Sequence, residues 1–181
     1  MNPYELINKY YHQSPEAHHV LIEHGAAVSK KAIEIAKRLD RYKPDIVFVE
    51  EAAMLHDIGI IFTDALQIGC KGSQPYIRHG ILGRELLERE GFLRHALVCE
   101  RHVGLGITAD DIVAQKLPLP VRDMTPRSIE EIIICFADKF FSKRHGLFCI
   151  CKTFEAVRAE ALRHGTQQLE TFEKWRDLLG E

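Results

Sequence analysis

A histidine and an aspartate stand side by side at the end of an apolar run in the segment Ala52-Ala53-Met54-Leu55-His56-Asp57-Ile58-Gly59. The apolar residues read as the buried turn of a helix, and Gly59 reads as the residue that ends it. A carboxylate at a core position is costly unless something compensates its charge. A bound cation is one such compensation. The pair therefore directs attention to other ligands along the chain.

The 181 residues suffice for one domain, expected to span 1–181, with a sizeable core. A hydrophobic content of 46% and a charged content of 28% suit a globular chain, and a net charge of −2 argues against extended nucleic-acid binding. The polar start lacks the pattern of a signal peptide, and no apolar run reaches the ~18 residues that a membrane span needs. A cytoplasmic location is expected. Five irregularly spaced cysteines fit reduced, packed thiols better than disulfides, and Cys149-Ile150-Cys151 has no second pair nearby to complete a metal knot. Homo-oligomerisation is left open.

The periodicity is helical throughout. Between Glu16 and Leu39, apolar Val20, Ala27, Val28, Ala32, Ile35, Ala36 and Leu39 follow three- and four-residue spacing, as one face of a long helix requires. Pro44 is placed in the first turn of the next helix, which reaches His56. Segment 60–78 reads as a long loop, and helices follow over about 75–90 and 92–102. Thr108 caps a short helix, and 117–127, with three prolines, is a rigid connector. Ser128-Ile129-Glu130-Glu131 matches a capping box that opens a helix to about Phe141. A final amphipathic helix covers about 152–179. The fold class expected is all-α, a helical bundle.

His24 shares a helix face with Val28 and Ala32, His79 begins one helix, His102 ends another, and Asp138 lies four residues after Ile134 in an apolar stretch. Each alone is more simply a hydrogen-bonded core residue. Together with His56 and Asp57 they form four imidazoles and two carboxylates, each placed where helical spacing predicts burial. Satisfying six such groups one by one would be demanding.

The ordered pattern His24, His56-Asp57, Asp138 resembles the H…HD…D signature of the HD superfamily of metal-dependent phosphohydrolases, over about 115 residues. Its metal-site core is expected over about 17–142. His79 and His102 resemble the two added histidines of members with a binuclear site, and the likeness is strongest to small HDIG-type proteins and HD-type diadenosine tetraphosphate hydrolases. Cyclic-di-GMP phosphodiesterases of this superfamily carry a GYP motif, a lysine after HDIG and paired histidines. Here Ile60 and Val103 stand in the last two places and GYP is absent.

Six ligands are too many for one catalytic ion that keeps an open position, but suit two divalent ions, Fe, Mn or Zn, with Asp57 as bridge and central catalytic residue. His24, His56, Asp57 and Asp138 would hold one ion, and Asp57, His79 and His102 the other. The expected substrate is a small phosphorylated molecule, a nucleotide or dinucleotide polyphosphate. Arg78, Arg101 and Lys139, each beside a candidate ligand, are candidates for binding it. The competing reading is a di-iron oxygenase that cleaves a C–C or C–P bond, because some superfamily members use two irons with dioxygen.

Overall fold

The computed structural model describes residues 1–143 and 150–181. Among them are nine α-helices: α1 (Pro3–Tyr11), α2 (Pro15–Arg38), α3 (Ile46–Leu55), α4 (His79–Arg89), α5 (Leu93–Arg101), α6 (Ala109–Ala114), α7 (Ile129–Asp138), α8 (Phe154–Arg163) and α9 (Thr166–Leu179). The fold is all-α. Its strands are two residues each, Asp64–Ala65 paired antiparallel with Cys70–Lys71, and they pin the segment between α3 and α4. That segment, expected as a loop, holds three 3-10 turns, and Ile58, Gly59 and Ile60 at its start are buried.

The long α2 is the spine. Proline at its first position pre-sets the backbone for a helix. Its apolar stripe packs on α3 and α7, and α4 pairs with α5. Most of α3 is apolar, and it buries Phe48, Val49 and the run from Ala52 to Leu55 between its neighbours, while Val47 and Glu50 stay exposed. Asp45 opens this helix by accepting from the Phe48 amide at 3.0 Å, and the expected start at Pro44 shifts accordingly. Behind α7 the core is aromatic. Phe136 stacks on Phe172 of α9 at 5.2 Å between ring centres and meets Phe140 at 5.3 Å. Such pairs add about 0.5–1.5 kcal/mol beyond area burial. They brace the helix that ends in Asp138.

Three further expectations change. The N-terminal stretch forms α1, capped by Asn2, and buries Leu6, Ile7 and Tyr11. The final helix is two helices, because Gly165 has φ +125°, a conformation open to glycine that ends α8 before α9 begins. At Ser128 half of the capping box forms. Ser128 Oγ accepts from the Glu131 amide at 3.2 Å, while the Glu131 carboxylate turns to the Arg127 amide and to Arg101. The full reciprocal box is at Thr108 and Asp111. Cys149 lies outside the described residues.

Candidate metal centre

Three helices end at one place. His56 follows the last residue of α3, His102 follows the last residue of α5, and Asp138 is the last residue of α7. His79 opens α4 directly after a 3-10 turn, and His24 projects from the middle of α2. All six candidate ligands, Asp57 among them, are buried. Helix C-termini carry partial negative charge, so their convergence favours a cation.

The helix ends also orient the rings. The last carbonyls of a helix lack partners within it. His56 Nδ1 bonds Ala53 O at 2.6 Å, His79 Nδ1 bonds Tyr76 O at 2.7 Å, and His102 Nδ1 bonds Cys99 O at 2.8 Å. A carbonyl oxygen accepts, so Nδ1 donates in each case. In the neutral ring Nε2 then keeps its lone pair, turned inward.

Asp57 is the hub. Its Oδ2 lies 3.3 Å from His24 Nε2 and 3.1 Å from His56 Nε2. Its Oδ1 lies 3.3 Å from both His79 Nε2 and His102 Nε2. Asp138 Oδ1 closes the first group, 2.9 Å from His24 Nε2 and 3.5 Å from His56 Nε2. Within each group, His24–His56–Asp57–Asp138 and Asp57–His79–His102, the potential ligand atoms lie within 4.8 Å of one another.

The donor set fits metal ions. Asp57 Oδ2 faces the Lys143 ammonium at 2.7 Å, while among the described residues His56 Nε2 and Asp57 Oδ1 make no hydrogen bond, despite these short separations. They face shared points rather than each other. The second group is the sharper case, because His79 Nε2 and His102 Nε2 lie 3.2 Å apart. With both Nδ1 atoms donating to carbonyls, two neutral rings would set lone pair against lone pair. A cation between them removes that repulsion.

Electrostatics divides the two groups. Burial opposes protonation of His56, but Asp57 and Asp138 outweigh it and raise its pKa to about 9. Burial dominates at His79, helped by His102 and Lys143, and lowers its pKa to about 3. His102 is lowered too, mainly by burial. Burial works against ionisation of Asp57 and Asp138, yet the lysines and imidazoles around them hold both well below the usual carboxylate range. The consequence for metal-free protein follows by linkage. His56, raised from 6.5, contributes stability that is present below pH 6.5 and fades as pH climbs through about 9. His79, depressed from 6.5, withdraws stability as pH falls from 6.5 toward about 3. Urea unfolding of the chelator-treated protein should therefore give its highest midpoint near pH 6.5, with lower midpoints at pH 5 and pH 8.5. A midpoint that rises steadily across this range would contradict the assigned environments.

Two neighbours of the cluster were not legible in the sequence. Lys143, five residues beyond Asp138, brings its ammonium 2.7 Å from Asp57 Oδ2. Tyr76 lies beside Lys143 and His79, and burial pushes its hydroxyl up to about 12. No spacing rule places a lysine after a helix end into a centre. Only the return of the chain past the end of α7 does so. Of the candidate substrate residues, Lys139 reaches the centre, with Nζ 3.0 Å from Asp138 Oδ2. Arg101 points to Glu131, at 2.9 Å and 3.1 Å. Arg78 lines a separate groove with Lys71 and Arg89. Among the other histidines, His18 bonds Asn8 and His95 bonds Glu51, both away from the cluster. His145 lies outside the described residues.

The HD-domain family model matches residues 21–142, from just before His24 to just after Asp138. An uncharacterized protein of Methanocaldococcus jannaschii is 35% identical over 140 residues, which is 75% of this chain and 75% of that protein. The chain belongs to the HD-domain family. Two tRNA (cytidine(56)-2'-O)-methyltransferases are also similar. The one from Thermoplasma volcanium is 35% identical over 67% of this chain, and the one from Picrophilus torridus is 36% identical over 72%. The chain spans about a third of the length of each, 32% and 34%. No solved structure matches. The family implies a metal-dependent hydrolase superfamily, and the buried histidine–aspartate cluster suits divalent metals. No described helix is long and apolar enough to cross a membrane.

Proposed function

We propose that this chain is a binuclear metal-dependent phosphohydrolase that cleaves a phosphoanhydride or phosphoester bond of a nucleotide or dinucleotide polyphosphate. The observation that carries the reading is the shared Asp57 carboxylate, one oxygen turned to each ligand group. His24, His56, Asp57 and Asp138 would hold one ion, and Asp57, His79 and His102 the other. Imidazole and carboxylate without thiolate suit Fe, Mn or Zn. When bound, two such ions lower the pKa of a water and neutralise phosphoryl charge.

The chain's own groups supply the rest. Asp57 sets the spacing of the two groups. Lys143 and Lys139 place ammonium groups at the edge of the cluster, where a phosphoryl oxygen can accept from them. Tyr76 keeps its proton at neutral pH and can donate it in a hydrogen bond to the same oxygens. The carbonyl bonds to the three Nδ1 atoms stop the rings from turning, so a phosphoryl group meets a fixed frame. Methyl transfer, the activity in the names of the two longer relatives, forms no part of this reading, because this chain spans about a third of each.

The test is metal analysis joined to anaerobic assays of nucleotides and simple phosphoesters with manganese. About two ions per chain and release of phosphate or nucleotide are expected, with His79→Ala and His102→Ala each falling to about one ion. Unchanged stoichiometry in both variants sinks the binuclear assignment. In a parallel aerobic assay of iron-loaded protein, dioxygen consumption without phosphate release would favour the oxygenase.

A further inference from the structure

Beside the cluster lies a cavity of about 650 Å³, bounded by segment 103–117 and by the junction of α8 with α9. Ligand pockets run to roughly 300–1,000 Å³. Three of its lining residues are chain neighbours of centre residues: Ile77 is two residues before His79, Val103 follows His102, and Lys139 follows Asp138. Lys139 spans the two spaces directly, because its side chain both lines the cavity and reaches Asp138.

The lining has two kinds of surface. Ile77, Val103, Leu117 and Val157 present aliphatic walls, suited to the faces of a flat ring. Gln115 and Gln167 present carboxamides that offer donors and an acceptor, as the edge of a heterocyclic base requires, and Gln168 adds a third whose Nε2 also donates to Gly106 O at 3.5 Å. The two carboxylates on the wall are already engaged. Asp111 closes the capping box of α6, and Glu160 pairs with Lys152 at 2.7 Å. Of the two, Glu160 is neutralised by a cation, and Asp111 is held by hydrogen bonds within its own helix cap.

We propose that this cavity receives the nucleoside portion of the substrate, with its phosphates directed past Lys139 to the metal centre. The proposal rests on the phosphohydrolase reading for the phosphate end, while the cavity itself is testable apart from it. Adenosine, inorganic phosphate and adenosine monophosphate are titrated into manganese-loaded protein by calorimetry. Adenosine should bind by itself, and the monophosphate should bind at least tenfold tighter than inorganic phosphate. Leu117→Trp, which fills the cavity, and Gln167→Trp, at an exposed position on its rim, should each bring the monophosphate down to the affinity of phosphate. Metal content and phosphate binding should stay unchanged in both variants. If adenosine does not bind and the monophosphate gains nothing over phosphate, the cavity assignment is wrong while the phosphohydrolase reading stands. If adenosine binds but neither phosphate nor the monophosphate's phosphate adds affinity, the base pocket stands and the phosphohydrolase reading fails. Tryptophan variants that bind the monophosphate like the parent protein would overturn the proposed location.

Discussion

Asp57→Ala should abolish loading of both ion positions and lower any phosphohydrolase activity by more than about 100-fold, beyond the loss typical of residues that merely support a ligand. The reason is that this one carboxylate faces four imidazoles, two on each oxygen. The same substitution acts on the metal-free protein. Lys143 then loses the carboxylate 2.7 Å away while its side chain remains 18% exposed, and protonated His56 loses its nearest anion. Removing one partner of a buried ion pair costs roughly 3–5 kcal/mol. Denaturant titration with and without chelator separates the two effects. An Asp57→Ala protein that still binds two ions would remove the shared carboxylate from the argument.

Gly59→Ala is the second large effect, and it arises from contact rather than charge. The backbone of Gly59 lies against α4 so closely that an added Cβ would overlap the His79 carbonyl oxygen and the Gly83 nitrogen, and would stand 2.9 Å from Gly83 Cα. All three are backbone atoms, so no side chain can turn aside. Helix α4 would have to move, carrying His79 with it. Overpacking costs typically 1–3 kcal/mol, and a backbone clash belongs at or above the upper end. A loss of about 3 kcal/mol corresponds to roughly 6–12 °C in Tm for a chain of this size. The variant should also hold less metal at the His79–His102 group. A Gly59→Ala protein with parental Tm and metal content would show that the close approach is not required.

This glycine illustrates where reading by residue pattern stops. In sequence, Gly59 looked like a helix terminator, yet α3 ends earlier, with His56 as its cap, and Gly59 has no positive φ. Its reason is α4, twenty residues away. Likewise, Gly165 divides α8 from α9 inside a stretch whose periodicity reads as continuous, because one residue at φ +125° breaks a helix without disturbing the apolar spacing on either side. Helix α1, by contrast, was legible, with Asn2 as its cap, Pro3 in its first turn and Leu6, Ile7 and Tyr11 buried, although no helix was expected there.

Residue types and a 3.6-residue period establish that the chain is helical, and they pointed to six imidazole and carboxylate side chains at buried positions. They also placed the HD pair at a helix end. It is the packing of the helices that brings the ends of α3, α5 and α7 together, turns one Asp57 oxygen to each histidine pair, and closes Lys143 on the same carboxylate while Glu131 claims Arg101. Periodicity reports which face of a helix is buried. Which buried faces touch depends on how helices cross and where the chain between them returns, and no spacing along a single chain encodes that.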